Sequence, residues 1–393
     1  MPPSNPYPAS RLGCLILTSA LASFSASCAR AQGESDGSFP GLEKRRAAAW
    51  PVSEVARVES DTLFSAITGI DVDSRGRVYV ADWFAARVTV LDAEGRILRT
   101  LGRKGLGPGE FRGIRGVQVL SGDSVLVYDP GAARLSVFPP DAEKPSYTVN
   151  LGAALGGPKP FTLRRAAADG AYVALIRPQF TPDAATPRRD EIRVLNADGT
   201  PRGAALRNFP SQSFLRVNQR GGGYSVMPNP FGRQAFVAAG ADDRIHVVWS
   251  DSLAVETVDV AGRRVGGFSI RHSPPRVTEV DVSDAVRQLP PRMAAIFRPV
   301  LADSVPERWP AVRGLVADDQ GRLWLGLFAS SAEPAEWAAF DAGGHYEGSV
   351  FLPSDVEVMA VRGGKLYGVA PTEAGAPQVV VLRLAAQSAG GGD

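Results

Sequence analysis

The stretch Ile67–Arg112 reads ITGIDVDSRGRVYVADWFAARVTVLDAEGRILRTLGRKGLGPGEFR and decides the fold. It holds four short apolar runs divided by turns. Ile67–Val72 is apolar at Ile67, Ile70 and Val72, which suits a buried inner strand. Asp73-Ser74-Arg75-Gly76 is a turn, because Asp and Ser bond nearby backbone and Gly accepts a positive φ. Arg77–Ala81 and Arg87–Leu91 are rich in β-branched and aromatic residues and read as strands flanking the loop Asp82–Ala86. Asp92-Ala93-Glu94-Gly95 is a second tight turn, and Arg96–Leu101 mixes polar and apolar residues as an outer strand does. The result is one four-stranded antiparallel sheet. Such a sheet cannot bury both faces alone, so it needs neighbours of its own kind.

The rest of the chain supplies them as looser copies. The second copy holds Val117–Leu120, Ser124–Asp129 and Ala133–Phe138, with an outer strand near Ser146–Leu151. Turns equivalent to Gly76 recur at Asp123, Gly170, Asp243, Gly321 and Gly364, at steps of 47, 47, 73, 78 and 43 residues. A unit of 40–50 residues is the size of a propeller blade. The two long steps therefore carry insertions, over Arg207–Arg233 and Arg271–Trp309. In the second, Ser283 can cap a helix over Asp284–Leu289, and Pro291 can open another over Arg292–Phe297. Trp50–Val58 reads as a strand that arrives early and closes the ring on the last blade. The expectation is an all-β, six-bladed β-propeller of four-stranded antiparallel blades over residues 49–384, with a short helical insertion between blades four and five.

Two pieces of this sequence carry a family resemblance. Asp73–Asp82 followed by Arg87–Asp92, and then Gly105-Leu106-Gly107-Pro108-Gly109-Glu110-Phe111, resemble the NHL repeat of β-propellers in content and order. The likeness covers blade one and the start of blade two. The family usually has Asn-x-Arg before the third strand, and Ala85-Ala86-Arg87 keeps only the arginine. Asp82 and Arg87 are five residues apart, as are Asp129 and Arg134, which points to a recurring Asp–Arg pair at the start of strand three.

The first 31 residues read as a targeting segment. Arg11 precedes the apolar run Leu12–Ala26, and Ala29-Arg30-Ala31 offers a cleavage site. Ser25-Ala26-Ser27-Cys28 offers a rival lipobox with Cys28 as the acylated residue, although Ser25 is a poor match to the usual aliphatic. Either reading means export from a bacterial cytoplasm, to the periplasm, the medium or, as a lipoprotein, the outer membrane. Residues 32–48 read as a linker and 385–393 as a disordered tail. Both cysteines, Cys14 and Cys28, lie in or beside the leader, so cleavage after Ala31 leaves no disulfide framework and no thiolate metal site. Without the leader's Arg11 and Arg30, 41 basic residues face 41 acidic ones, which gives no electrostatic case for nucleic acid. No segment beyond the leader is long and apolar enough to span a membrane.

Chemistry is sparse. The three histidines, His246, His272 and His345, come from unlike positions in different blades. No His-Glu-x-x-His run or Gly-x-Ser-x-Gly elbow occurs, and Gly105–Gly109 lacks the Lys-Ser/Thr and following helix of a phosphate loop. No catalytic residue, metal ligand or cofactor is assigned. Candidate binding residues are Trp83 and Phe84 in a loop, Arg87, Tyr128 and Arg134, and, in the first insertion, Arg216, Arg220, Tyr224 and Phe231. Trp249, Trp324 and Trp337 are further candidates for a binding rim, and of these Trp249 and Trp324 better suit packing between blades. The leading expectation is a monomeric binding scaffold for a protein, peptide or glycan. The alternative is an enzyme resembling propeller lyases or lactonases, with a divalent metal in the central channel.

Overall fold

The computed structural model describes residues 39–58, 63–155, 157–180, 187–219, 222–240, 243–330 and 333–385. Six four-stranded antiparallel sheets make six blades. Each blade's inner strand touches the inner strand of the next, and blade six returns to blade one, so the sheets close into a ring. Blade one is Ile67–Val72, Val78–Asp82, Arg87–Leu91 and Ile97–Leu101, within a residue of the sequence reading. Blade six is closed as expected. Its fourth strand is Val52–Val58, which pairs antiparallel with Pro377–Leu384 from Val52↔Leu384 to Val58↔Val379.

Second strands explain why the ring forms. Val78–Asp82, Val125–Asp129, Tyr172–Ile176 and Leu323–Leu327 are buried at every residue. A strand covered on both faces reads as a continuous apolar run, and here neighbouring blades supply the cover. The antiparallel order puts two kinds of connection on opposite faces. One face carries the turns between strands one and two and between three and four. The other, the connector face, carries the loops between strands two and three and the crossings between blades.

The turns share a sequence device. Asp73 Oδ1 accepts from the Arg75 and Arg77 amides, and Oδ2 accepts from Arg77 Nε and Tyr79 Oη. Asp318 repeats this with Gln320, Arg322 and Trp324 Nε1. Asp92 and Asp259 do the same for Arg96 and Arg263. The motif is Asp-x-x-Gly-Arg: aspartate holds the turn's amides, glycine takes the positive φ (78° at Gly76), and the arginine closes on the same carboxylate.

The segment 32–48, read as a linker, contains structure. Helix α1 (Leu42–Ala47) docks through Arg45, which is 5% exposed and bonds both oxygens of Glu336 at 2.6 and 2.8 Å. A five-residue helix, α2 (Leu151–Leu155), follows blade two's outer strand. Between blades four and five lie two helices, α3 (Glu279–Arg287) and α4 (Pro291–Asp303). Pro291 opens α4 as expected. The cap of α3 is Thr278, not Ser283: Thr278 and Asp281 form a reciprocal capping box.

The first insertion is smaller than expected. Arg207–Pro210 pairs with Arg189–Leu195 as the outer strand of blade three. What remains is the hairpin Phe214–Asn218/Tyr224–Pro228. It packs on α3 and α4 around Leu215, Phe231, Val286, Phe297 and Leu301. The two insertions are therefore one cap, seated on blade five where Trp309 stacks on Phe328 at 4.8 Å. Residues 1–31 with the Cys28 lipobox, the first part of the linker and residues 386–393 lie outside the described residues.

Candidate functional site

The connector face is shaped by two repeated clamps. Asp82 accepts from the amides of Ser65 (2.6 Å), Ala66 (3.3 Å) and Ala85 (3.0 Å), while Arg87 donates to the Leu63 carbonyl at 3.1 Å. Asp129 accepts from the Arg112 and Ala132 amides, and Arg134 donates to the carbonyls of Leu106, Gly107 and Glu110. Each Asp and Arg sit opposite in register, yet each bonds the chain arriving from the previous blade. Glu110 then folds back onto the Leu106 and Gly107 amides. Glycines 105–109 thus make a loop tied by side chains, and Arg134 is committed to it as Arg87 is to the Leu63 carbonyl.

On this scaffold three blades contribute to one stack. Trp83 follows blade one's second strand, Arg115 precedes blade two's inner strand, and Phe161 begins blade three. The Arg115 guanidinium lies 4.8 Å from the Trp83 ring centre and 4.6 Å from that of Phe161. Gly113 admits the indole: a Cβ there would meet the Trp83 ring at 3.1 Å. Arg177 lies 4.3 Å from the Phe161 ring and is paired with buried Asp190 at 2.9 Å. Arg188 continues the series, 5.3 Å from Phe180 and 4.8 Å from Phe214 of the cap hairpin, and bonds the carbonyls of Pro178 and Gln212. Arg216 lies over Tyr224 at 5.0 Å.

Arg115 differs from Arg177, which is paired with Asp190. Among the described residues it makes no ion pair. Burial holds its pKa below the ordinary arginine value, opposed by Tyr128 and aided by the like charge of Arg177. It is a half-buried cation, oriented by two aromatic rings and without a counter-charge. Stacking uses the faces of a guanidinium and leaves its N–H edge for an acceptor.

Sequence candidates fall into three groups. Trp83, Phe84 (69% exposed), Arg216 and Tyr224 (44% exposed) stand on or beside this surface. Tyr128 and Phe231 lie inside: Tyr128 is buried and donates to the Pro160 carbonyl at 2.6 Å, and Phe231 is buried in the cap against Trp309. Arg220 lies outside the described residues. Trp324 and Trp337 are buried, and Trp249 stacks on Phe209 at 5.5 Å. Arg115, Phe161 and Arg177 were not among the candidates, because single residues scattered over two blades carry no local motif.

A cavity of about 1130 Å³ opens on the opposite face among the first turns. Its carboxylates are already used. Asp73 and Asp318 hold their own turns, Asp123 accepts from Ser74, and Asp319 accepts from the Gly363 amide. These bonds tie blade to blade, and the rim is best explained as construction. Below it, the channel narrows to about 120 Å³ lined by Asp71, Gln118, Arg164 and Arg362. A divalent cation does not fit this donor set. Asp71 is its sole carboxylate, already accepts from the amides of Val72 and Val119 and from Arg362, and stands near a second guanidinium. Among the described residues no cluster of three His, Cys, Asp or Glu could hold a metal. His246 is buried against Thr257, His272 sits beside Phe39, and His345 bonds Asp341. No described helix is long and apolar enough to cross a membrane.

No family model and no curated protein matches the chain. Solved structures give distant likenesses. A Bacteroides fragilis protein described as exported is 9% identical, covering 86% of this chain and 95% of its own, with a TM-score of 0.49. A calcium-binding regucalcin of Agrobacterium tumefaciens is 12% identical over 85% and 95%, TM-score 0.47. A gluconolactonase of Xanthomonas campestris is 13% identical over 86% and 92%, TM-score 0.46. The architecture rests on this chain's own six sheets.

Proposed function

We propose that this chain is an exported NHL-like propeller that works as a monomeric binding scaffold. Its ligand face is the connector face beside the cap, and its ligand is a protein, peptide or glycan that presents an anionic group. The observation that carries this reading is Arg115 held between Trp83 and Phe161 with no ion pair among the described residues. A cation kept half out of water and pre-oriented gains most from a partner that brings the missing charge. Exposed Phe84 and the Arg216–Tyr224 edge of the hairpin extend the surface with the aromatic and arginine character common at binding sites. Export would bring cleavage after Ala31 or acylation at Cys28, which intact mass of the mature protein distinguishes.

Residues 32–393 should retain acidic peptides or glycans from a mixed array and release them with rising salt. Arg115→Ala should weaken that binding about tenfold or more, and Trp83→Ala should weaken it less. The melting temperature of Arg115→Ala should stay near that of the parent. Equal retention of neutral and acidic ligands, or an Arg115→Ala protein that binds like the parent, would overturn the reading.

A further inference from the structure

Arg164 of blade three and Arg362 of blade six come from opposite sides of the ring and line the same constriction of the channel. Burial foremost holds the Arg164 pKa below its ordinary value; Asp71 pulls against this and the like charge of Arg362 adds to it. The polar groups around them are taken. Asp71 Oδ1 accepts from the Val72 amide (2.8 Å) and Arg362 Nε (3.0 Å), and Oδ2 from the Val119 amide (2.8 Å). Gln118 exchanges two hydrogen bonds with the Arg165 backbone. Arg164 has one bond, to the Val117 carbonyl, and no ion pair among the described residues. Two guanidinium groups therefore share one carboxylate whose two oxygens already accept three bonds, and among the described residues the constriction carries one uncompensated positive charge.

We propose that this constriction binds a compact monovalent anion between Arg164 and Arg362. A liquid water occupies about 30 Å³, so a cavity of about 120 Å³ holds such an ion with part of its hydration. One negative charge restores neutrality where enclosure strengthens every Coulomb interaction. Two sources share this chemistry: a free halide, or the carboxylate end of a ligand seated in the mouth cavity above. The site is separate from the Arg115 stack and does not depend on it.

The test is thermal unfolding of residues 32–393 at constant ionic strength. Chloride, bromide or formate would replace isethionate, a larger and more weakly bonding sulfonate. The expected result is a melting temperature that rises with the logarithm of the compact anion's concentration, and loss of that rise in Arg164→Gln. Formate acting without chloride would assign the site to a carboxylate end; both acting would assign a free anion. Bromide-soaked crystals give a readout independent of the variant, with an anomalous peak expected within hydrogen-bond distance of both guanidinium groups. Unfolding that follows ionic strength alone, together with no peak there, would overturn the proposal.

Discussion

Asp129 and Arg134 face each other across the ladder of blade two, yet each bonds backbone of the preceding connection and neither bonds the other. The same division of labour holds for Asp82 and Arg87. Asp82 is fully buried and is the acceptor for three amides, and each buried donor left unpaired costs about 1–3 kcal/mol. Asp82→Ala should therefore cost roughly 2–4 kcal/mol in urea unfolding. Arg87→Ala, which loses a bond to one carbonyl, should cost about 1 kcal/mol. Equal costs for the two would mean that the pair acts as a unit after all.

Arg134 predicts a local effect. It spans three carbonyls of the loop around Gly107, which is otherwise held by Glu110. Arg134→Ala should raise amide exchange at Leu106 and Gly107 while the buried strand Val125–Asp129 keeps its protection. Faster exchange throughout blade two would show that the loop belongs to the blade's core.

The buried Arg45–Glu336 pair joins α1 to blade five, and Ser349 adds a third bond to Glu336 at 2.6 Å. Removing one partner strands a charge in a closed site. Glu336→Ala and Arg45→Ala should each cost about 3–5 kcal/mol, and the double variant should cost much less than the sum. A chemical unfolding cycle measures this. Additive losses would show that the two side chains contribute separately.

Blade one was legible because every level of its sequence agrees. Asp-x-x-Gly-Arg turns bracket β-branched runs of strand length, and the spacing repeats in blade two. Trp50–Val58 was legible as the closing strand for the same reason: a lone apolar strand ahead of the first blade needs an edge to pair with. Arg207–Pro210 was not, since Arg-Asn-Phe-Pro has little strand character of its own and is fixed by its pairing with Arg189–Leu195. The start of α3 was present as Thr278-Glu279-Val280-Asp281, a capping box whose acid is Asp in place of the usual Glu. The Arg115 stack had no sequence signal, because ring closure, not chain neighbourhood, brings Trp83, Arg115 and Phe161 together.

His246 makes stability depend on pH. It is buried against Thr257, and burial, with the charge of Arg244, lowers its pKa to about 4 from an ordinary value near 6.5. Above pH 6.5 both folded and unfolded chains hold it neutral. As pH falls from 6.5 towards 4 the unfolded chain takes a proton that the folded one refuses, so stability declines across that window, by roughly 3 kcal/mol in full. His246→Gln should remove this part of the acid loss. Unfolding curves at pH 7 and pH 4.5 for both proteins give the comparison, and parallel losses would assign the acid sensitivity elsewhere.

The cap predicts a separable unit. Its own core, Leu215, Phe231, Val286, Phe297 and Leu301, draws on both insertions. It meets blade five chiefly through Trp309, which lies between Phe231 and Phe328 at 4.8 Å from each, and through Ser330, which donates to Asp281 at 3.2 Å. Truncating a buried leucine costs about 2–5 kcal/mol where the surroundings cannot collapse. In Leu215→Ala that loss should fall on the cap alone. Amide exchange should quicken in the hairpin, α3 and α4, whereas the second strands of the blades, buried at every residue in blades one, two, three and five, should keep their protection. The Arg188 stack should loosen with the hairpin, because Phe214 neighbours Leu215 on the same strand. A uniform loss of protection across all six blades would instead make the cap part of the propeller's single cooperative unit, and would rule out its moving independently of the connector face it borders.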